Sequence, residues 1–151
     1  MRTDKFPSFF LLLLLSFNGF AQASTQPVQL RCEYKINPNG IETQHPRLSW
    51  QLSVDEGKRA IMQSAYQIKV AGSLDDLEKG NNLLWDSGLQ QSDHSTHIPY
   101  QGSPLNARGK YFWQVKIWDN RSEDGTQSEV AHWEMGLLDS TEWKAKWIDI
   151  K

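Results

Sequence analysis

The sequence predicts an all-β chain, a two-sheet sandwich of the immunoglobulin-like or fibronectin type III-like kind with about seven strands. Three observations carry that prediction. Apolar residues recur with period two and almost never with a helical period. Turn-forming clusters separate the alternating runs at short intervals. The last third, Tyr111-Phe112-Trp113-Gln114-Val115-Lys116-Ile117-Trp118-Asp119 followed by His132-Trp133-Glu134-Met135-Gly136, reads as the two closing strands of such a sandwich.

Residues 1–23 stand apart from the fold. Arg2 and Lys5 make a basic start, Phe9 to Leu15 is an unbroken apolar run, and Ala21-Gln22-Ala23 has the small-x-small form that signal peptidase cleaves after. The apolar run falls well short of the ~20 residues that span a bilayer. The reading is an export signal, placing the mature chain in the periplasm, on the cell surface or in the medium, with no membrane span. Removing the signal leaves 14 basic and 17 acidic side chains from the original 16 and 18, a balance of −3. That balance, with no basic run, argues against a nucleic-acid partner. Residues 24–138 suit one domain with a core of its own.

The strands follow in order. Val28, Leu30, Cys32 and Tyr34 alternate with polar residues, and the single cysteine reads as a small buried hydrophobe that has no partner for a disulfide. Asn37-Pro38-Asn39-Gly40 is a turn. Leu48, Trp50 and Leu52 form the second run; Tyr66, Ile68 and Val70 form the third. Ser73 to Lys79 is the one helical candidate, with Ser73 as cap, Asp76 three residues on and Gly80 as stop. Leu83 to Ser87 and Thr96 to Tyr100 read as edge strands, the second because Pro99 cannot donate to a sheet centre. Trp113, Val115 and Ile117, then Ala131, Trp133 and Met135, complete the set, which places Trp50, Trp113 and Trp133 in the core. Leu138 to Glu142 reads as a linker. Trp143-Lys144-Ala145-Lys146-Trp147-Ile148 reads as the first strand of a following domain, so residues 139–151 are assigned to a linker and to that domain's start.

The candidate sites are few. Asp75/Asp76, Asp119/Glu123/Asp124 and Glu129/Glu134 read as solvated charges, because none sits where a carboxyl pKa would be raised for acid catalysis. His94 and His97 lack the further ligands a metal needs. No catalytic residue, metal site or cofactor is expected. Trp85, Tyr100 and Trp118 are the candidates for stacking on a sugar or for a domain interface, and Trp143 and Trp147 for contact with the next domain.

Taken together, Pro46-Arg47-Leu48-Ser49-Trp50, Gln63 to Ala71, Leu84-Trp85-Asp86-Ser87-Gly88, Tyr111 to Asp119, Trp133 to Leu138 and Trp143 to Ile148 resemble, in the same order, the N-terminal fibronectin-like domain of secreted bacterial α-L-rhamnosidases. The resemblance implies a non-catalytic module whose partners are the downstream domains of one polypeptide. The glycosidase would act on glycans ending in α-L-rhamnose with inversion, through two carboxyl groups of an (α/α)-barrel absent from this chain. One departure is that Gln127, rather than an aromatic residue, precedes Ser128. The competing reading is a free-standing module that binds rhamnose-containing glycans or a protein through Trp85, Tyr100 and Trp118.

Overall fold

The computed structural model describes residues 25–57 and 59–146. Eight strands and one short helix follow in chain order: β1 (Gln26–Cys32), β2 (Arg47–Ser53), β3 (Gln63–Ala71), α1 (Leu74–Lys79), β4 (Trp85–Asp86), β5 (Ile98–Pro99), β6 (Lys110–Asp119), β7 (Thr126–Gln127) and β8 (Ala131–Glu134). All the pairings between strands are antiparallel. One sheet has the order β1-β2-β5; the other has β4-β3-β6-β7, with β8 also on β6. The architecture is an immunoglobulin-like β-sandwich. Among the described residues no helix is long and apolar enough to cross a membrane.

The alternation in β2, β3 and β6 explains the core directly. One face of each strand is turned inward, and there Leu48, Trp50, Tyr66, Ile68, Val70, Trp113, Val115 and Ile117 pack with Trp133 of β8. Trp50, Trp113 and Trp133 are all fully buried. Each indole removes ~150–250 Å² from water, up to about 4–6 kcal/mol by area. Such a core stands in for the missing disulfide.

Cys32 is buried in that core. Burial, and then the neighbouring charge of Glu33, push its thiol up to about 12. A thiol kept protonated is a poor nucleophile. Ellman's reagent at pH 8 is therefore expected to leave the native chain unmodified and to react once denaturant is added. Reaction of the native chain at the free-thiol rate would show that this part of the core opens readily.

Two features of β1 differ from the simple alternation. A bulge between Val28 and Arg31, with Gln29 at φ 50°, shifts the phase. Pro27, Leu30 and Cys32 are the buried residues, and Val28 is only partly covered. A bulge of this kind kinks an edge strand and blunts it against foreign pairing. Tyr34 does not continue the strand. Cys32 and Lys35 exchange two backbone hydrogen bonds (2.9 and 3.0 Å) across a two-residue turn made by Glu33 and Tyr34. Both residues have positive φ, 46° and 67°. That is the geometry Asn-Gly ordinarily supplies, so the sequence carries no familiar signal for it.

The helix forms as its capping residues require. The Ser73 hydroxyl oxygen accepts from Asp76 N–H (3.1 Å) and its O–H donates to the Asp76 carboxylate (2.6 Å). These bonds, the one to Ser73 first and that from Asn82 next, hold the Asp76 carboxyl below the usual range. Leu77 is the side chain that anchors the helix.

The closing strand is broken into β7 and β8, and Ser128 bridges the gap. Its N–H donates to Val115 O (2.8 Å), and its hydroxyl oxygen accepts from Val115 N–H (3.1 Å). The side chain thus replaces a ladder bond, which keeps the segment after Gln127 registered on β6 without an aromatic residue.

Candidate functional site

The sandwich has two open sides. On one, the edges β4 and β5 face each other across a cleft of about 240 Å³. Trp85, Asp86, Ser87, Gln90, Ile98 and Gln101 line it. The cleft is built by two pairings distant in sequence: β4 pairs with β3 through Val70 and Lys69, and β5 pairs with β2 through Leu48 and Arg47. Trp85 is half-buried there, and Asp86 Oδ1 accepts from Gln67 Nε2 (2.7 Å) and from Gly88 N–H (2.9 Å).

Gly102 packs against the backbone side of Trp85. A Cβ there would run into the Leu84 carbonyl oxygen, the Tyr100 hydroxyl (2.5 Å) and Trp85 Cβ (2.6 Å). Leu84 O is also the acceptor for Ser103 N–H (3.0 Å), so it cannot retreat freely. Gly102→Ala is expected to destabilise the fold by about 1–3 kcal/mol and to shift Trp85 fluorescence. A neutral result in urea unfolding would show that the 101–103 loop yields.

The three aromatic candidates do not form one face. Trp85 lines the cleft. Tyr100 is a correction to the sequence reading: it is 0% exposed, and its ring meets Trp85 edge-on (5.4 Å) on one side and Trp133 (6.1 Å) on the other. Its hydroxyl donates to Ser103 O (2.7 Å), and burial pushes its pKa up to about 12. Edge-strand assignment suggested exposure, but Ile98-Pro99-Tyr100 crosses from the edge into the core as it leaves β5. Trp118 lies on the outer face of the β3-β6 sheet, opposite Ala65, with the Lys116 ammonium 5.1 Å from its ring centroid. The β6–β7 connection folds over it at Gly125, where a Cβ would meet the indole at 2.6 Å. Trp118 is thus half-buried under its own loop and remote from Trp85.

Trp143 is 58% exposed, just after a 3-10 turn at Ser140–Glu142. With Leu137, Ala145 and Arg108 it lines an apolar recess of about 390 Å³ where the chain leaves the sandwich. Trp147 lies outside the described residues.

Several of the candidate carboxylates have structural duties. Asp75 pairs with Lys79 (2.7 Å) and Glu134 with Lys110 (3.0 Å). Asp119 accepts from Thr25 Oγ1 (2.6 Å) and from the N–H groups of Arg121 and Ser122. The carboxyls of Glu33, Asp76 and Asp139 are lowered by hydrogen bonds, the reverse of what a general acid needs. Among the described residues no group of three or more His, Cys, Asp or Glu side chains could hold a metal ion.

The sequence missed Gln63, the best-connected polar side chain in the interior. Its Oε1 accepts from Trp50 Nε1 (2.9 Å), and its Nε2 donates to the carbonyls of Ser92 (3.1 Å) and His94 (2.9 Å). It ties β2, β3 and the 92–95 loop together. A glutamine opening a strand gives no sign of this in sequence.

Known proteins share both the sequence and the shape. An α-L-rhamnosidase of Formosa agariphila is 48% identical over 114 residues, covering 76% of this chain and 12% of its own length. One of Streptomyces avermitilis is 44% identical over 117 residues, covering 77% and 11%. The solved α-L-rhamnosidase of Dictyoglumus thermophilum superposes with a TM-score of 0.75 at 35% identity, over 83% of this chain and 14% of that one. The chain therefore spans only about an eighth of the length of the curated relatives it matches. Residues 27–139, from the bulged first strand to the cap of the last 3-10 turn, match the family described as Rha78A-like, N-terminal immunoglobulin domain, and the chain belongs to that family.

Proposed function

We propose that this chain is the non-catalytic N-terminal module of an exported bacterial α-L-rhamnosidase, a glycosidase that removes terminal α-L-rhamnose, and that it supports the domains that follow. The observation that carries the reading is the combination of family membership with a match to only 11–12% of the relatives' length. The lowered, structurally committed carboxyls support the non-catalytic part. Inverting glycosidases need two carboxyl groups about 6.5–9.5 Å apart, one of them kept protonated. Purified residues 24–151 are expected to give no turnover of an aryl α-L-rhamnoside; hydrolysis that survives repurification would sink the claim.

A second reading has its own observation, the cleft at Trp85. A half-buried indole beside a carboxylate, a hydroxyl and two amides is the composition of a small sugar site. Titration with rhamnose-containing oligosaccharides, followed by tryptophan fluorescence, separates the two. Saturable quenching lost in Trp85→Ala favours a binding module; a flat titration leaves the supporting role ahead.

A further inference from the structure

We infer that the end of the sandwich from which the chain departs is a docking surface for the polypeptide that follows residue 146, centred on Tyr34 as held by Arg47 and His97. The inference rests on the reading of the chain as the N-terminal module of a longer glycosidase.

Tyr34 is 54% exposed. Its ring is nonetheless fixed: the His97 imidazole meets it edge-on at 5.4 Å, and the Arg47 guanidinium lies 5.0 Å from its centroid. Arg47 is in turn forked onto Glu33, with Nη2 2.6 Å from one oxygen and Nε 3.1 Å from the other. Glu33, Tyr34 and His97 all hold positive φ (46°, 67° and 58°), a conformation uncommon for residues other than glycine. Strained backbone of this kind persists where the surroundings over-determine it, and it clusters at working surfaces. An exposed aromatic ring held rigid in advance loses little freedom on binding.

The position of the cluster follows from the hydrogen bonds. Pro46, next to Arg47, accepts from Tyr100; Leu84 accepts from Ser103 and donates to Val70. Ala71 pairs with Phe112, and Lys110 with Glu134, after which the chain runs out through Gly136 to Trp143. The turn that carries Tyr34, the helix start at Leu74 and the segment leading to Trp143, all exposed large hydrophobics, thus leave their strands at one end of the sandwich, while Met62 precedes β3 at the other. Tyrosine, arginine and tryptophan are the residues that dominate protein interfaces. In the relatives most of the polypeptide lies beyond the matched domain, which makes it the occupant at hand. A sugar is the poorer fit, because both Glu33 oxygens are spent on Arg47 and cannot orient a diol.

The test is hydroxyl-radical footprinting of the polypeptide recovered from source cells with an antibody to residues 25–146, with rates normalised to the same polypeptide in urea. Tyr34 and Trp143 are expected to be protected about tenfold, as in a water-excluding interface, and Met62, itself 57% exposed, far less. Tyr34→Ala is expected to raise the Trp143 rate towards its unfolded value. A large polypeptide in which Tyr34 reacts freely, or in which Met62 is the protected residue, overturns the docking surface alone. Protection of Tyr34 that appears only on adding a rhamnoside overturns it in favour of a sugar site. A recovered product no larger than this chain overturns the parent reading itself.

Discussion

Trp133→Ala is expected to cost about 3–5 kcal/mol, enough to leave a domain of ordinary stability barely folded. The indole is fully buried between Tyr100 (6.1 Å) and Tyr111 (5.6 Å), so its removal empties the centre of the core rather than a margin. Neither neighbour can follow it inward. The Tyr100 hydroxyl is tied to Ser103 O (2.7 Å), and the Tyr111 hydroxyl oxygen accepts from Asn106 N–H (2.7 Å). Trp133 has a second property that separates two variants. Its Nε1 is buried without a hydrogen-bond partner among the described residues. Phenylalanine fills part of the space and removes that donor, so Trp133→Phe is expected to cost only about 1–2 kcal/mol. Urea unfolding of both variants checks the pair. Equal costs would mean that the N–H is satisfied after all and that phenylalanine forfeits its bond.

Gln63→Ala is expected to come second, at about 2–5 kcal/mol, because one truncation leaves the buried Trp50 indole N–H without its acceptor and also removes the two bonds to the carbonyls of Ser92 and His94 on the partly covered 92–95 loop. Gln63→Glu sharpens the argument. The carboxylate still accepts from Trp50, but its other oxygen would face two carbonyl oxygens. The folded state then favours the protonated acid, raising the folded pKa above the unfolded value of about 4.3. The resulting stability is fully present below that unfolded value and is lost as pH rises through the folded pKa. Gln63→Glu should therefore be nearly as stable as the parent near pH 4 and much weaker near pH 7. A Gln63→Glu variant whose urea midpoint tracks the parent at both pH values would show that the 92–95 loop swings away at little cost.

What could be read from the sequence was whatever obeys a period. β2, β3 and β6 are buried on one face, so their alternation named the core, including Trp50, Trp113 and Trp133. Helix α1 was legible because Ser73, Asp76 and Gly80 carry cap chemistry in local order. The rest depended on partners distant in sequence. The bulge at Gln29 moved Pro27 inward in place of Val28, and nothing in the composition of β1 marks it. The turn at Glu33 and Tyr34 is made by residues that ordinarily avoid it, with Arg47 compensating from 14 positions away. Tyr100 was read as an exposed edge aromatic because its two ring contacts come from β4 and β8. For the candidate site, Trp85 was visible as an edge tryptophan, whereas the Tyr34–Arg47–His97 cluster was not. Its members come from three separate segments, and only the fold brings them together.

The seam between residues 38–41 and the last strand has a bearing on how the chain is made. Glu134 N–H donates to Pro38 O, Ile41 N–H to Glu134 O, and Gly136 N–H to Ile41 O. The first third of the domain is thus completed only by its last few residues. Ribosomes extend a chain at about 5–20 residues per second, so the β1–β2 hairpin spends several seconds without the strand that seals it. During that interval Trp50 lacks the opposing core, and the free edge of β1 is open to other nascent chains. Pro27 and the bulge at Gln29 lie on that strand, and both spoil it as a template for foreign pairing. A device that looks like an irregularity in the finished domain thereby guards the unfinished one.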